Sequence, residues 1–141
     1  MKSTTVGEIM TPDPVTLHSD AKLSEAWDLM ETRHILHIPI VDDGVLVGLL
    51  SERQMRDAMP SIILMSDPEG RQKSLRLTRV SQVWHPGPRT VAPTTTVLDA
   101  IKTMRRDRLG SLPVLNEGRL VGILTAGDLI SFLERLLNGG P

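Results

Sequence analysis

The sequence predicts a mixed α/β (α+β) fold made of two copies of one β-α-β-β-α unit. Three observations carry that prediction: an internal repeat, two hairpin signatures, and amphipathic helical periodicity in each copy. Sliding the chain by 74 positions lays Val6 on Val80, Pro12 on Pro86, Thr16 on Thr90, Ala26 on Ala100, Met30 on Met104, Pro39 on Pro113, and Leu46-Val47-Gly48 on Leu120-Val121-Gly122. The register holds without a gap from Val6 to Arg56. A fixed period of this length marks a repeated supersecondary unit.

Each copy is expected to parse in the same order. Pro12 and Pro14, and their twins Pro86 and Pro88, enforce an extended lead-in followed by a minimal strand, Val15-Thr16-Leu17 or Arg89-Thr90-Val91. Leu23, Ala26, Trp27 and Met30 then recur at helical spacing after Ser19-Asp20, as do Val97, Ala100, Ile101 and Met104 after Thr94–Thr96. Ile38-Pro39-Ile40-Val41 and Val45–Leu50 flank Asp42-Asp43-Gly44; Leu112-Pro113-Val114-Leu115 and Leu120–Leu124 flank Asn116-Glu117-Gly118. Two apolar runs around a short acidic or amide turn ending in Gly read as a β-hairpin. Pro39 and Pro113 lack an N–H and belong at a strand start or on an edge strand. A helix closes each copy, Glu52–Met59 or Ala126–Leu137. The boundaries are thus 1–59 for the first copy, 60–79 for a linker and 80–138 for the second. The linker is expected to be a loop with a short helix after Gly70, the turn-like Asp67-Pro68-Glu69-Gly70 preceding it. One copy is too small to cover its own sheet, so the two are expected to pack sheet to sheet.

Composition narrows the function. A chain of 141 residues with formal net charge −1 gives no pull toward nucleic acid or an anionic membrane. The absence of cysteine removes disulfides, thiolate catalysis and Cys-ligated metal, and is compatible with a reducing cytosol. No leader-like or membrane-length apolar run occurs, so the expectation is a soluble, cytoplasmic protein. His34 and His37 sit three apart, but a helix ending before His34 would point them in different directions, and no metal site is expected. No nucleophile is paired with a base and the glycines of 122–127 match no phosphate-loop or dinucleotide fingerprint, so no enzyme is expected.

The motif that organises the rest is Gly122-Ile123-Leu124-Thr125-Ala126-Gly127-Asp128, a strand running into a helix. Thr125 is placed to cap the helix and Asp128 to complete a capping box in its first turn, beside orphan N–H donors and the positive end of the helix dipole. Its twin is Gly48-Leu49-Leu50-Ser51-Glu52-Arg53-Gln54, where a neutral amide replaces the carboxylate.

Taken together, Val6-Gly7-Glu8-Ile9-Met10-Thr11-Pro12, the Ala26 and Met30 helix, Ile38-Pro39-Ile40-Val41, the Gly48 strand and the [ST]-x-x-[DQ] ending resemble the cystathionine-β-synthase (CBS) domain, met twice as in a Bateman module. Met59-Pro60 and a linker of this length are similar to those of stand-alone bacterial proteins grouped with acetoin-utilisation protein B. The resemblance implies pseudo-two-fold symmetry, a homodimer through the helical faces, and an adenosyl ligand in a cleft between the domains: AMP, ADP, ATP, S-adenosylmethionine or an NAD derivative. The ligand would regulate a partner protein and no cofactor would be required. It also implies a pocket for the second domain made of Trp84, His85, Leu109, Gly110, Ser111, Ile123, Thr125 and Asp128, with Leu36 and His37 of the opposite domain facing the phosphates. A carboxylate accepts two charge-assisted hydrogen bonds from a ribose diol, which gives Asp128 its role. Gln54 keeps the helix start but grips a diol less well, so one nucleotide per chain is expected, on the Asp128 side. Arg108 either favours the negative end of its helix or reaches a phosphate. Arg89, whose repeat partner is Val15, either covers the adenine slot or stands at its mouth. The rival reading is a structural dimerisation module with no bound nucleotide.

Overall fold

In the computed structural model, residues 3–58 and 67–139 are described. They form α1 (Val6–Ile9), β1 (Thr11–Pro12), α2 (Leu23–Arg33), β2 (His37–Asp42), β3 (Val45–Ser51), α3 (Glu52–Ala58), α4 (Pro68–Leu77), a 3₁₀ turn (Val80–Gln82), β4 (His85–Pro86), α5 (Val97–Asp107), β5 (Ser111–Asn116), β6 (Arg119–Thr125) and α6 (Ala126–Leu137). The fold is mixed α/β with two three-stranded antiparallel sheets, ordered β1-β6-β5 and β2-β3-β4.

Both hairpins form as the turn chemistry demands. Asp43 and Gly44 have φ of 50° and 78°, and Glu117 and Gly118 have 52° and 82°. Positive φ at both central residues is the two-residue turn whose twist matches that of the strands. Each hairpin also carries an irregularity at the same repeat position, between Ile40 and Val41 and between Val114 and Leu115. Pro39 and Pro113 lie in β2 and β5, the edge strands of the two sheets. Their carbonyls accept from Leu17 N (3.2 Å) and Val91 N (3.1 Å). The strands expected at 15–17 and 89–91 therefore reduce to single parallel bridges, Leu17 to Ile40 and Val91 to Val114. The paired segments lie further upstream, at Thr11–Pro12 and His85–Pro86.

Those segments are exchanged between the copies. β1, from the start of the first copy, pairs with β6 of the second; β4, from the start of the second, pairs with β3 of the first. The chain accordingly divides into two compact units that do not follow the repeat boundaries: Val15–Pro88 is one, and Met1–Pro14 with Arg89–Pro141 is the other. The continuous unit has a core of Leu23, Ala26, Met30, Ile38, Ile40, Leu50, Met55, Leu75 and Val80, all 8% exposed or less. The unit holding both termini has Val6, Ala100, Met104, Leu112, Val114 and Leu124.

The linker expectation needs correction. The helix does not follow Gly70 but begins at Pro68: Asp67 is its N-cap and accepts from Gly70 N at 2.7 Å, with Pro68 in the first turn. The turn-like residues are thus a helix start, for which a missing N–H on proline is no loss. Leu75 buries this helix in the continuous unit, alongside α2. The apolar stretch Ile62–Met65 and the Met59-Pro60 step lie outside the described residues. α2 also starts later than Ser19-Asp20 suggests, with Lys22 at its N-cap. Ser19 is turned instead toward Asp42, which accepts from its N–H at 2.9 Å and its hydroxyl at 2.5 Å.

Close backbone approach explains two glycines. A Cβ on Gly48 would lie 2.1 Å from the Trp84 ring, and one on Gly122 would lie 2.4 Å from Met10 Sδ. A rigid indole yields less readily than a thioether. Gly48→Ala is therefore expected to destabilise the protein by about 1–3 kcal/mol through overpacking, and Gly122→Ala by less, as read from denaturant midpoints at unchanged slope. Hydrogen bonds from Ser19, then the nearby His18, hold the Asp42 carboxyl below the ordinary carboxylate range. A depressed native pKa stabilises the fold above the unfolded value and that stabilisation disappears as pH falls through the native one. Asp42→Asn should lower the melting temperature at neutral pH, and the gap to wild type should close below about pH 4.

Candidate functional site

The start of α6 is built as a capping box. Thr125 Oγ1 accepts from Asp128 N at 3.1 Å, and Asp128 Oδ2 accepts from Thr125 N at 2.9 Å. Leu124 is buried, Thr125 and Asp128 are half-buried, and Gly127 is exposed, so the strand anchors the motif while the carboxylate stays reachable. The carboxylate's other oxygen is also held: Thr11 donates its hydroxyl to Asp128 Oδ1 at 2.9 Å. Thr11 stands opposite Ile123 in the β1–β6 pairing, which fixes where its side chain starts.

Around this motif the structure brings together most of the expected residues. Ser111 opens β5 opposite Thr125 and is 2% exposed. Gly110 presents its carbonyl to Ala126 N at 3.1 Å, and Leu109 packs on the core beneath. Ile123 is buried within β6. Arg108 is exposed and forms the left-handed cap of α5, with φ of 55°. All of these lie in the unit that holds the termini.

Four expected residues belong to the continuous unit: Leu36 and His37, expected from the opposite domain, and Trp84 and His85, expected with the second. Trp84 lies over Gly48 and His85 pairs with Leu49, so the segment that the family resemblance groups with Asp128 sits on the first copy's hairpin. Thr11 takes the corresponding place beside β6. Leu36, 59% exposed, offers its carbonyl to Glu52 N at 2.8 Å, and His37 stands opposite Ser51. Burial holds the His37 imidazole below its ordinary pKa, favouring the neutral form. Thr11 is the residue that sequence reasoning missed. Its signal was present in Met10-Thr11-Pro12, but nothing in the chain said which hairpin that segment would join.

The twin motif in the continuous unit has the same frame with a different tip. Ser51 Oγ accepts from Gln54 N at 3.1 Å, and Gln54 Oε1 accepts from Ser51 N at 2.8 Å. The amide oxygen is thereby used in the cap and its NH₂ supplies donors, whereas a carboxylate supplies acceptors only. Glu52 pairs with Arg56 one turn on.

Other charged candidates are engaged elsewhere. Arg89 pairs with Asp107 at 2.9 Å, and Arg106 reaches the same carboxylate at 3.3 Å. The Arg106 hydrogen bond, with Arg89 adding to it, keeps the Asp107 carboxyl below its usual range. His34 is the left-handed cap of α2, outside the strand that holds His37. Among the described residues no group of three or more His, Asp or Glu is arranged to hold a metal ion. No helix among them is long and apolar enough to cross a membrane.

Residues 6–61 and 80–135 each match the family model of the CBS domain. A CBS domain-containing protein of Dictyostelium discoideum is 35% identical over 138 residues, which is 96% of this chain and 95% of that protein. A crystal structure assigned to an acetoin utilization protein (AcuB) of Vibrio cholerae superposes with a TM-score of 0.84 at 30% identity, covering 98% of this chain and 97% of that one. The CBS domain pair of protein MJ0100, solved with 5′-methylthioadenosine and S-adenosyl-L-methionine, gives a TM-score of 0.77 at 25% identity and covers 98% of both chains. This chain belongs to the CBS-domain family and carries the domain twice.

Proposed function

We propose that the protein is a regulatory module that binds an adenosine-containing small molecule, of the AMP, ADP or ATP class, on the Asp128 side and signals its presence to a partner protein. The observation that carries this reading is the half-buried, capped Asp128 carboxylate on the first turn of α6. It sits beside Ser111, Gly110 and Ile123, and a sugar diol is the neutral donor pair that such a carboxylate recognises. Support for the adenosyl class comes from MJ0100, whose ligands both contain an adenosine-type group. Leu36 and His37, carried by the other unit, belong to the proposal through the family resemblance alone; so do Trp84 and His85. A neutral His37 would offer a phosphate one N–H donor and no charge.

The reading assigns one ligand to each chain. Gln54 commits one acceptor position of its amide oxygen to the Ser51 cap and its NH₂ adds only donors, so it offers the two O–H groups of a diol no ionised acceptor pair. Asp128 keeps acceptors available. The helix starts alike in both copies, so the difference lies in recognition and not in folding.

Association of two chains belongs to the same reading. α6 contributes no fully buried residue, and Ile130, Leu133 and Leu137 are 66%, 53% and 78% exposed at i, i+3 and i+7. A stripe of that spacing needs a partner surface, and a second copy is the simplest occupant.

Titration calorimetry with AMP should give one site per chain. Asp128→Ala should weaken binding by about tenfold to a hundredfold, the value of a hydrogen bond to a charged group, while Gln54→Ala should leave affinity within error. Two equivalent sites, or an Asp128→Ala variant that binds like wild type, would overturn the reading. AMP at a hundredfold excess over its Kd should also stabilise the protein by about 2.7 kcal/mol. Sedimentation should find a dimer that Leu133→Glu dissociates.

A further inference from the structure

We infer that Thr11 is a positioning residue of the Asp128 site, setting the carboxylate so that it reads a vicinal diol. The inference rests on the ligand reading above and names the residue that gives the site its selectivity.

An ionised carboxylate has two oxygens with about four acceptor positions between them. In Asp128 each oxygen carries one protein donor: Thr125 N–H on Oδ2 at 2.9 Å and the Thr11 hydroxyl on Oδ1 at 2.9 Å. One acceptor position is left on each oxygen, which matches the two O–H donors of a cis-diol. With the backbone donor alone the carboxylate would be tied at one corner and free to turn about its χ2 bond, a broad and weakly restrained torsion. The second donor removes that freedom before any ligand arrives, and a preorganised acceptor pair binds without that ordering cost.

The threonine is held independently of the carboxylate. β1 pairs Thr11 with Ile123 and Pro12 with Gly122. The missing side chain at Gly122 lets the segment lie close enough that an added Cβ would stand 3.0 Å from the Thr11 carbonyl oxygen. The hydroxyl is therefore placed by backbone pairing, 117 residues away in sequence from the group it orients. In the twin motif the same register position, opposite Leu49, holds His85, and the first-turn residue is Gln54. Both halves of the diol-reading pair change together between the copies.

The test uses the full chain and two probes, AMP and its 2′,3′-dideoxy analogue, with wild type, Thr11→Val and Thr11→Ser. Wild type should prefer AMP. Thr11→Val, which keeps shape and loses the donor, should bind AMP about tenfold more weakly and the dideoxy analogue unchanged within about twofold, while Thr11→Ser restores the preference. Thr11 is exposed, so the variants are expected to fold, and Thr11→Ala gives a second variant without the donor. A loss shared equally by both probes would mean a merely structural role and overturn the inference, as would Thr11→Val with wild-type preference. Wild type that binds neither probe would overturn the proposed function itself, and that result is read before any variant; wild type that binds both alike keeps adenosine binding and overturns the inference.

Discussion

Close packing of the two lead-in segments on the bare backbone of Gly48 and Gly122 decides where those segments lie, and the rest of each unit is arranged around them. Trp84 rests against the first and Met10 with Thr11 against the second. Each contact is made by a segment from one copy on a hairpin from the other, so the pairing that completes each sheet is non-local by construction. Two-residue strands supply few hydrogen bonds of their own. Their placement depends on the fit of the preceding side chain over glycine, which is why a packing detail governs topology here.

The cap of α6 joins fold and proposed recognition in a single group. Thr125 and Asp128 satisfy two backbone donors that any helix start must satisfy, and the copy ending in Gln54 meets that obligation equally well. Helix formation therefore tolerates either residue. What distinguishes them is the bonding capacity beyond the cap: a carboxylate adds acceptors, an amide adds donors. A sequence can thus change the residue at this position without losing the capping box that holds it.

Much of this was legible beforehand, and the part that was not has a physical reason. The hairpins declared themselves because Asp43-Gly44 and Glu117-Gly118 need positive φ, and the helices because Leu23, Ala26, Met30 and their twins repeat at helical spacing. The capping box followed from spacing alone. Sequence order, by contrast, says nothing about which of two similar hairpins a lead-in segment will join, so Trp84 and His85 were grouped with Asp128 while Thr11 went unnoticed. The Asp67-Pro68 pair misled for a related reason, since the same residues open a turn or a helix and only the burial of Leu75 decides between them. Ser19 was drawn from the expected helix boundary by Asp42, a long-range partner that local propensity does not see.

The division into Val15–Pro88 and the two flanking stretches also bears on how the protein is made. A ribosome releases the continuous unit as one piece, and its burial of Leu23, Leu50 and Val80 can be finished while later residues are still being added. The flanking unit has no such option. Val6 and Thr11 precede the continuous unit in the chain yet find their partners in Leu112, Leu124 and Asp128, which follow it, so they stay unpartnered while it is synthesised. The Thr11–Asp128 pair of the proposed ligand site consequently spans the whole continuous unit and cannot form until that unit has been synthesised.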